Sequence, residues 1–326
     1  MKKVCIGLFK AATILFVVAS ALSCNAIQNA INAISPDVQT PDFQLAVSID
    51  GKGAPDNVRA GVAAVDKDGN SVALTADNIR ISESSDRNSW QEVTFSVERR
   101  SEAHFPISAA CAMDYSGSMS NDQLKDVENA VLAFAGFLQE GDRMAIIKFA
   151  SEIEVKQDFT NDSSAIASAV HDSYTGNHGS TKAWDASAKA VDMAQNEDAP
   201  KAVITLTDGE DNDSKIGVND LIDHAIQAGV PIYTLAMTGN LFGIPLTSFL
   251  PDLIKIADKT GGLFFEFPSS SDVESVYQAI ARAFDDALLA TWSTSFSGGT
   301  VFVKVDVTVD VSGKTYTDSV VSSYTF

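Results

Sequence analysis

The chain has 326 residues, 45% of them hydrophobic, so it can bury a substantial core, and its length suggests about two domains. Its formal charge of -20 repels phosphate backbones, which argues against nucleic acid and against an electrostatic hold on an anionic membrane. The 3 cysteines are too few for a disulfide framework, and no Cys/His cluster is present, so a zinc or iron–sulfur centre is not expected.

Met1-Lys2-Lys3 is a basic start, and Ala11 to Leu22 is a 12-residue apolar stretch. A membrane-spanning helix needs about 20 such residues, so residues 1–23 read as a signal peptide. The stretch ends at Ala21-Leu22-Ser23-Cys24. These residues resemble the lipobox of bacterial lipoproteins, although that motif carries Leu three residues before the cysteine, where Ala21 stands. The resemblance implies an acylated Cys24 and a lipid-anchored protein of the bacterial cell envelope, at the outer membrane or cell surface. Without acylation the chain is secreted. Residues 24–42 form a tether, in which Ala26, Ile27, Ala30, Ile31 and Ile34 fall at helical spacing.

From Phe43 the period is two. Phe43, Leu45, Val47 and Ile49 alternate with Gln44, Ala46, Ser48 and Asp50, which predicts a strand with one buried face. The cluster Asp66 to Asn70 turns the chain between Val62–Val65 and Val72–Leu74, and further strands are expected at Ile79–Ser82 and Trp90–Val97. No helix pattern shows between residues 43 and 104.

Residues 105–288 alternate strand and helix. Strands are predicted at Phe105–Met113, Met144–Phe149, Ala202–Leu206, Pro231–Ala236 and Leu263–Phe267. A helix follows the Ser120/Asn121 cap, with Leu124, Val127, Ala130, Val131, Phe134, Phe137 and Leu138 on its apolar stripe. Further helices are expected at Ala165–His171, Ala183–Ala194, Val218–Ala228, Phe249–Lys259 and Val273–Leu289. Glu152–Lys156 follows the second strand too closely for a crossover and should pair antiparallel. The pattern describes a doubly wound α/β domain with a mainly parallel, six-stranded, Rossmann-like sheet flanked by helices.

In residues 289–326 the valines at 301, 303, 305, 307, 309 and 311 alternate with mostly polar neighbours, and the chain returns after Ser312-Gly313-Lys314. This is a β-hairpin, and a lone hairpin is marginal in water. Its natural partner is the β segment of residues 43–104. Both ends should therefore form one β-sandwich, with the α/β domain inserted into it.

Two loops stand out. Asp114-Tyr115-Ser116-Gly117-Ser118 follows one buried strand and Thr207-Asp208-Gly209 follows another. Parallel strands bring both loops to the carboxyl edge of the sheet, where open α/β folds bind ligands. Their oxygen donors suit a hard divalent cation. Together with Thr181 in Gly179-Ser180-Thr181, the motifs and their order resemble the von Willebrand factor A domain, its bacterial members in particular. Ser180 departs from the family, which usually has a second Gly there.

The resemblance implies a metal-ion-dependent adhesion site of Asp114, Ser116, Ser118, Thr181 and Asp208. Ser116 and Ser118 would bind the metal directly, Thr181 directly or through water, and the two aspartates largely through water. The ion would be Mg²⁺ or Mn²⁺, with Ca²⁺ a further candidate, and an open position would take a carboxylate from a protein partner. Neutral direct ligands leave the ion electrophilic for that carboxylate. The function implied is binding rather than catalysis. Two alternatives are a scaffold or assembly subunit of an envelope complex, and a metal-dependent hydrolase. A hydrolase needs a general base, for which only His178 or the acids Glu210, Asp211 and Asp213 are near. Those acids also raise a second cation site, against the plainer reading of a solvated loop. The apolar insertion Asn240–Leu250 should lie on the metal face, as core packing or a partner contact.

The lipobox generates the first testable outcome. Mass spectrometry of the mature N-terminus should find acylated Cys24 in the wild type and no acylation in Cys24→Ala. Cleavage at another bond, or a bare Cys24, removes the lipoprotein reading.

Overall fold

The structure, a computed structural model, describes residues 41–326 apart from 104, 199, 239, 242–243, 246–247 and 268, and the side chains of 240, 241, 244 and 245. The signal peptide, Cys24, the tether up to residue 40 and most of the 240–250 insertion lie outside the described residues.

The chain opens with β1 (Phe43–Gly53), β2 (Asn57–Asp66), β3 (Ile79–Ser84), β4 (Gln91–Glu92), β5 (Ser96–Arg99) and one helical turn, α1 (Arg100–Ala103). Three expectations change here. Val72–Leu74 forms no strand; the segment makes only a bridge between Val65 and Ser71 and one bond from Val72 N to the Ala64 carbonyl. The Trp90–Val97 strand is split because its halves serve different sheets. Short helical turns also occur, at Ala76–Asn78 and in α1.

The α/β unit follows: β6 (Ser108–Asp114), α2 (Asn121–Ala135), β7 (Arg143–Phe149), β8 (Ile153–Thr160), α3 (Ser163–His171), α4 (Ala183–Ala194) and β9 (Lys201–Thr207). Then come α5 (Val218–Ala228), β10 (Ile232–Met237), the small hairpin β11 (Asn240–Leu241) and β12 (Ile244–Pro245), α6 (Leu250–Thr260), β13 (Phe264–Phe267) and α7 (Val273–Asp285). The sheet runs β13-β10-β9-β6-β7-β8, parallel throughout except for β8, which pairs antiparallel with β7 as expected. One face buries Cys111, Met113 and Ile146 under α2, α3 and α7; the other buries Ala112, Ile147 and Val203 under α4, α5 and α6. β6 begins later than the apolar run suggests. Pro106 has no N–H for a ladder, and the Ile107 amide is taken by Asp142 Oδ1 at 2.9 Å.

α7 ends at Asp285, short of Leu289. Leu288 and Leu289 instead open β14 (Leu288–Trp292), which is hydrogen-bonded on both sides, to β2 and β5. β15 (Thr300–Val311) and β16 (Lys314–Thr325) form the expected hairpin, turned by Ser312 and Gly313 at φ 52° and 83°. Two positive φ values match the right-handed twist of paired strands. The sandwich sheets are β1-β2-β14-β5 and β16-β15-β3-β4, so both chain ends build both sheets. The core between them includes Ile49, Val62, Ile81, Trp292, Val303 and Val305. One charge lies within it. Glu83, 1% exposed, accepts from Trp292 Nε1 at 2.9 Å, Thr294 Oγ1 at 2.7 Å and Tyr324 OH at 2.9 Å. Three donors, one from each sheet and one from the loop after β14, satisfy a carboxylate that would otherwise be costly to bury.

The expectation of one buried face for β1 is corrected: Phe43 to Asp50 are all buried. Phe43, Leu45, Val47 and Ile49 face the sandwich core, and Ala46 joins the core of the α/β unit. The Gln44 amide donates to the Phe264 carbonyl at 2.9 Å and accepts from its N–H at 2.7 Å, standing in for a missing strand neighbour of β13. The free edge of β1 meets helix ends. Val47 N donates to Gly261 O at 2.8 Å and Ile49 N to Gly229 O at 3.0 Å. These glycines end α6 and α5 in the left-handed conformation, as helix-terminating glycines commonly do.

Entry to and exit from the α/β unit are also joined. Arg100 N donates to the Ala287 carbonyl at 3.0 Å. Its guanidinium pairs with Asp142 Oδ2 at 2.5 Å, each side chain 1% exposed.

A Cβ on Gly261 would stand 2.6 Å from Val320 Cγ1 and 3.1 Å from the Val47 carbonyl, at φ +72°. Gly261→Ala should therefore lower unfolding free energy by about 2 kcal/mol or more, the left-handed penalty for a non-glycine residue being roughly 1–2 kcal/mol before the overlap. Chemical denaturation measures this, and an unchanged midpoint would mean that the helix end and sandwich are not packed together.

Candidate metal centre

The site grows from two adjacent strand ends. Met113 in β6 pairs with Leu206 in β9, so Asp114 and Thr207 emerge side by side. Thr207 Oγ1 donates to Asp114 Oδ2 at 2.6 Å, and Ser116 N donates to Asp114 Oδ1 at 2.7 Å. The loop then turns Ser116 Oγ to within 3.0 Å of Ser118 Oγ, and Ser118 Oγ donates to Asp208 Oδ1 at 2.6 Å. Four of the five expected residues are thus joined in one chain of polar contacts. Ser120 caps α2 immediately afterwards, accepting from Gln123 N at 3.3 Å.

Thr181 arrives from the loop between α3 and α4. Its amide donates to Asn212 Oδ1 at 2.9 Å, and its carbonyl accepts from Asn212 N at 3.0 Å and Asp213 N at 3.2 Å. The same loop clasps the first one. Gly117 N donates to the His178 carbonyl at 2.8 Å, and His178 Nδ1 lies against the Tyr115 carbonyl. The His178 ring also stands edge-on to Tyr174, with centroids 5.1 Å apart. His178, exposed but held by both contacts, is therefore tethered to the first loop.

The electrostatics favour a cation. Asp114 is fully buried, and burial, with the charge of Asp208, pushes its carboxyl up to about 6 against the pull of the Thr207 bond. Burial also raises the Asp208 carboxyl, opposed by the Ser118 bond. Both acids lie beside the hydroxyl oxygens of Ser116 and Ser118. An octahedral Mg²⁺ takes oxygens at about 2.0–2.1 Å, and the two serine hydroxyls, now 3.0 Å apart and hydrogen-bonded to each other, are near enough to share one ion. Thr181 Oγ1 makes no hydrogen bond to a described residue, so that oxygen is free to coordinate. The donor set fits a hard cation. Among the described residues no cluster of three or more His, Cys, Asp or Glu side chains could hold a metal.

Beneath the loop, Tyr115 OH bonds Glu128 on α2, and the Lys148 ammonium sits 4.5 Å from the Tyr115 ring centroid. Lys148 donates to the carbonyls of Val170 and Asp172, each at 2.6 Å, at the end of α3. The acids after Asp208 are largely engaged. Asp211 Oδ1 accepts from Trp184 N and Ser214 Oγ, and Asp213 Oδ2 accepts from Ser180 Oγ at 2.9 Å. Asp211 and Asp213 thus brace neighbouring loops, where the sequence suggests either a second cation site or a solvated loop. Of the 240–250 insertion, Phe249 and Leu250 open α6 and are buried in the core. Sequence reasoning misses Thr207, Asn212 and the clasp made by His178. Thr207 stands directly before Asp208, so the only available signal is a hydroxyl at the end of a buried strand.

The von Willebrand factor type A domain family matches residues 110–279, just over half of the chain. A 180-residue stretch is 27% identical to calcium-activated chloride channel regulator 1 of Bos taurus, covering 52% of this chain and 18% of that protein. The chain thus corresponds to less than a fifth of that relative's length. Among solved structures, von Willebrand factor type A from Catenulispora acidiphila is 13% identical over 89% of this chain and 75% of its own, with a TM-score of 0.48. BatB from Bacteroides thetaiotaomicron is 18% identical over 54% of this chain and 98% of its own, at 0.41. Proximal thread matrix protein 1 from the mussel byssus, with a zinc-occupied MIDAS motif, is 19% identical over 59% and 48%, at 0.42.

Thr207→Val preserves shape and removes the donor to a buried carboxylate. It should cost about 1.5–3 kcal/mol, the range for hydrogen bonds to charged groups. Urea unfolding at neutral pH checks it, and a loss below about 0.5 kcal/mol would mean that the Asp114 contact carries little.

Proposed function

The chain belongs to the von Willebrand factor type A domain family, and on that premise we propose that it is a cell-envelope lipoprotein that binds a protein partner through a divalent cation. Domains of this family typically mediate protein–protein interaction or adhesion. The cation is held at a metal-ion-dependent adhesion site formed by Asp114, Ser116, Ser118, Thr181 and Asp208. One observation carries the reading: the adjacent ends of β6 and β9 bring Asp114, Ser116, Ser118 and Asp208 into one continuous chain of oxygen contacts, with Asp114 wholly buried.

When bound, the ion supplies an electrophilic centre for a carboxylate from the partner. Ser116, Ser118 and Thr181 offer neutral oxygens, which leave the charge of the ion available. Asp114 and Asp208 supply the negative field that draws the cation in. Thr207 and the Ser116 amide fix Asp114 through both its oxygens, so that field has a set position. All donors are oxygens, which favours Mg²⁺ or Mn²⁺ over softer ions. The signal peptide and Cys24 support placement in a bacterial envelope. The His178 ring, tied to the Tyr115 carbonyl and packed on Tyr174, supports binding over hydrolysis.

Asp208 is the better residue to remove, because Asp114 is wholly buried and its loss would strand Thr207 and the Ser116 amide. Calorimetric titration of Mg²⁺ or Mn²⁺ should show at least tenfold weaker binding to Asp208→Ala, about 1.4 kcal/mol, with the fold intact. A pull-down from cell envelope should recover the partner with the divalent ion and lose it in EDTA. Equal affinities in the two proteins, or a partner retained in EDTA, would refute the proposal.

A further inference from the structure

We infer that Asn212 is a positioning residue of the metal site, acting through Thr181 to set how tightly the cation is held. The inference rests on the metal-site reading above and adds a residue to it.

Thr181 is the outlying member of the set. Asp114, Ser116, Ser118 and Asp208 are linked to one another by direct bonds. No hydrogen bond among the described residues joins Thr181 to any of them. Its tie to the Asp208 loop passes instead through residues 212 and 213, and of these only Asn212 reaches it with a side chain. The Asn212 side-chain oxygen takes the Thr181 N–H at 2.9 Å while the Asn212 amide donates to the Thr181 carbonyl at 3.0 Å. One residue thus grips both backbone groups of Thr181. The side chain of Thr181 is left with a free hydroxyl.

Asn212 is only four positions after Asp208 in the chain. Whatever places Asp208 beside Ser118 therefore also places Thr181. The loop is stiffened on either side of this contact. Asp211 accepts from the Trp184 amide at 3.2 Å, and Asp185 accepts from Lys215 N at 3.0 Å and Ile216 N at 3.1 Å. A second brace, Lys182 N to the Ala150 carbonyl at 3.0 Å, holds the Thr181 loop from the β7 side. Losing Asn212 should thus loosen Thr181 without releasing it. Asn212 itself is exposed, so its amide is not needed to fill a core. Its side-chain chemistry is explained by the Thr181 amide.

The test is a double-mutant cycle read by Mn²⁺ calorimetry on the full mature chain. Asn212→Ala should weaken binding about three- to tenfold. Asn212→Asp keeps an acceptor for the Thr181 N–H and should bind within about twofold of wild type, or more tightly. Combining Asn212→Ala with Thr181→Ala should cost no more than Thr181→Ala alone, because interacting residues are not additive. A second readout needs no metal: amide hydrogen exchange at Thr181 should quicken in Asn212→Ala and stay slow in Asn212→Asp. Wild-type affinity in Asn212→Ala, or losses that multiply in the double variant, would overturn the inference while leaving the metal site standing. A wild type that takes up no Mn²⁺ would remove the site itself, and this role with it.

Discussion

The N–H groups of Val47 and Ile49 on the free edge of β1 find their acceptors in Gly261 and Gly229, at the ends of two helices of the inserted domain. A buried edge strand without acceptors would forfeit a hydrogen bond at every second residue. Helix C-termini meanwhile present carbonyls with no partner in their own helix. Each deficiency meets the other. The constraint reaches further than two bonds. Helices that follow parallel strands end at the amino edge of the sheet. The sandwich is therefore fixed at that edge, together with Gln44 on Phe264. The metal loops lie at the opposite edge and stay clear of it.

The same division separates two kinds of polar burial. At the amino edge and in the sandwich, buried charges are satisfied within the protein. Asp142 has Arg100 and two backbone amides, and Glu83 has three neutral donors. At the carboxyl edge Asp114 and Asp208 have hydrogen bonds but no cationic side chain among their contacts, and burial raises both carboxyls. Lys148 is close below, but its donors go to the carbonyls ending α3 and its charge lies over the Tyr115 ring. Among the described residues, this edge leaves two adjacent raised carboxyls without a cationic partner, where Asp114, Ser116, Ser118 and Asp208 meet.

Much of this was legible in the chain. Ala183–Ala194 and Val218–Ala228 are helices over the residues their periodicity marks, and the valine ladder is a hairpin with the expected turn. Those segments have a single apolar face, so pattern and packing agree. The misreadings fall where a segment serves two masters. β1 alternates, yet its polar positions are buried too, because Gln44 and Ser48 spend their side chains on backbone groups of the inserted domain. The apolar run through Leu289 extends a helical pattern, but β14 needs Leu288 and Leu289 between two strands. Asn212 and Thr207 escape notice because one hydrogen bond to a distant backbone or carboxylate leaves no periodic trace.

The inserted domain leaves and rejoins the sandwich at one point. Arg99 at the end of β5 pairs with Leu288 at the start of β14, so the domain sits at the open end of an antiparallel ribbon. Tension applied at the carboxyl edge of the sheet would draw both strands in the same direction, so their mutual ladder is loaded together with the bonds at the junction. The buried Arg100–Asp142 pair and the Arg100–Ala287 bond sit at the mouth of that ribbon. The helix-end contacts to β1 run beside it as a parallel path for the load. The junction between the two units is therefore locked at its narrowest point.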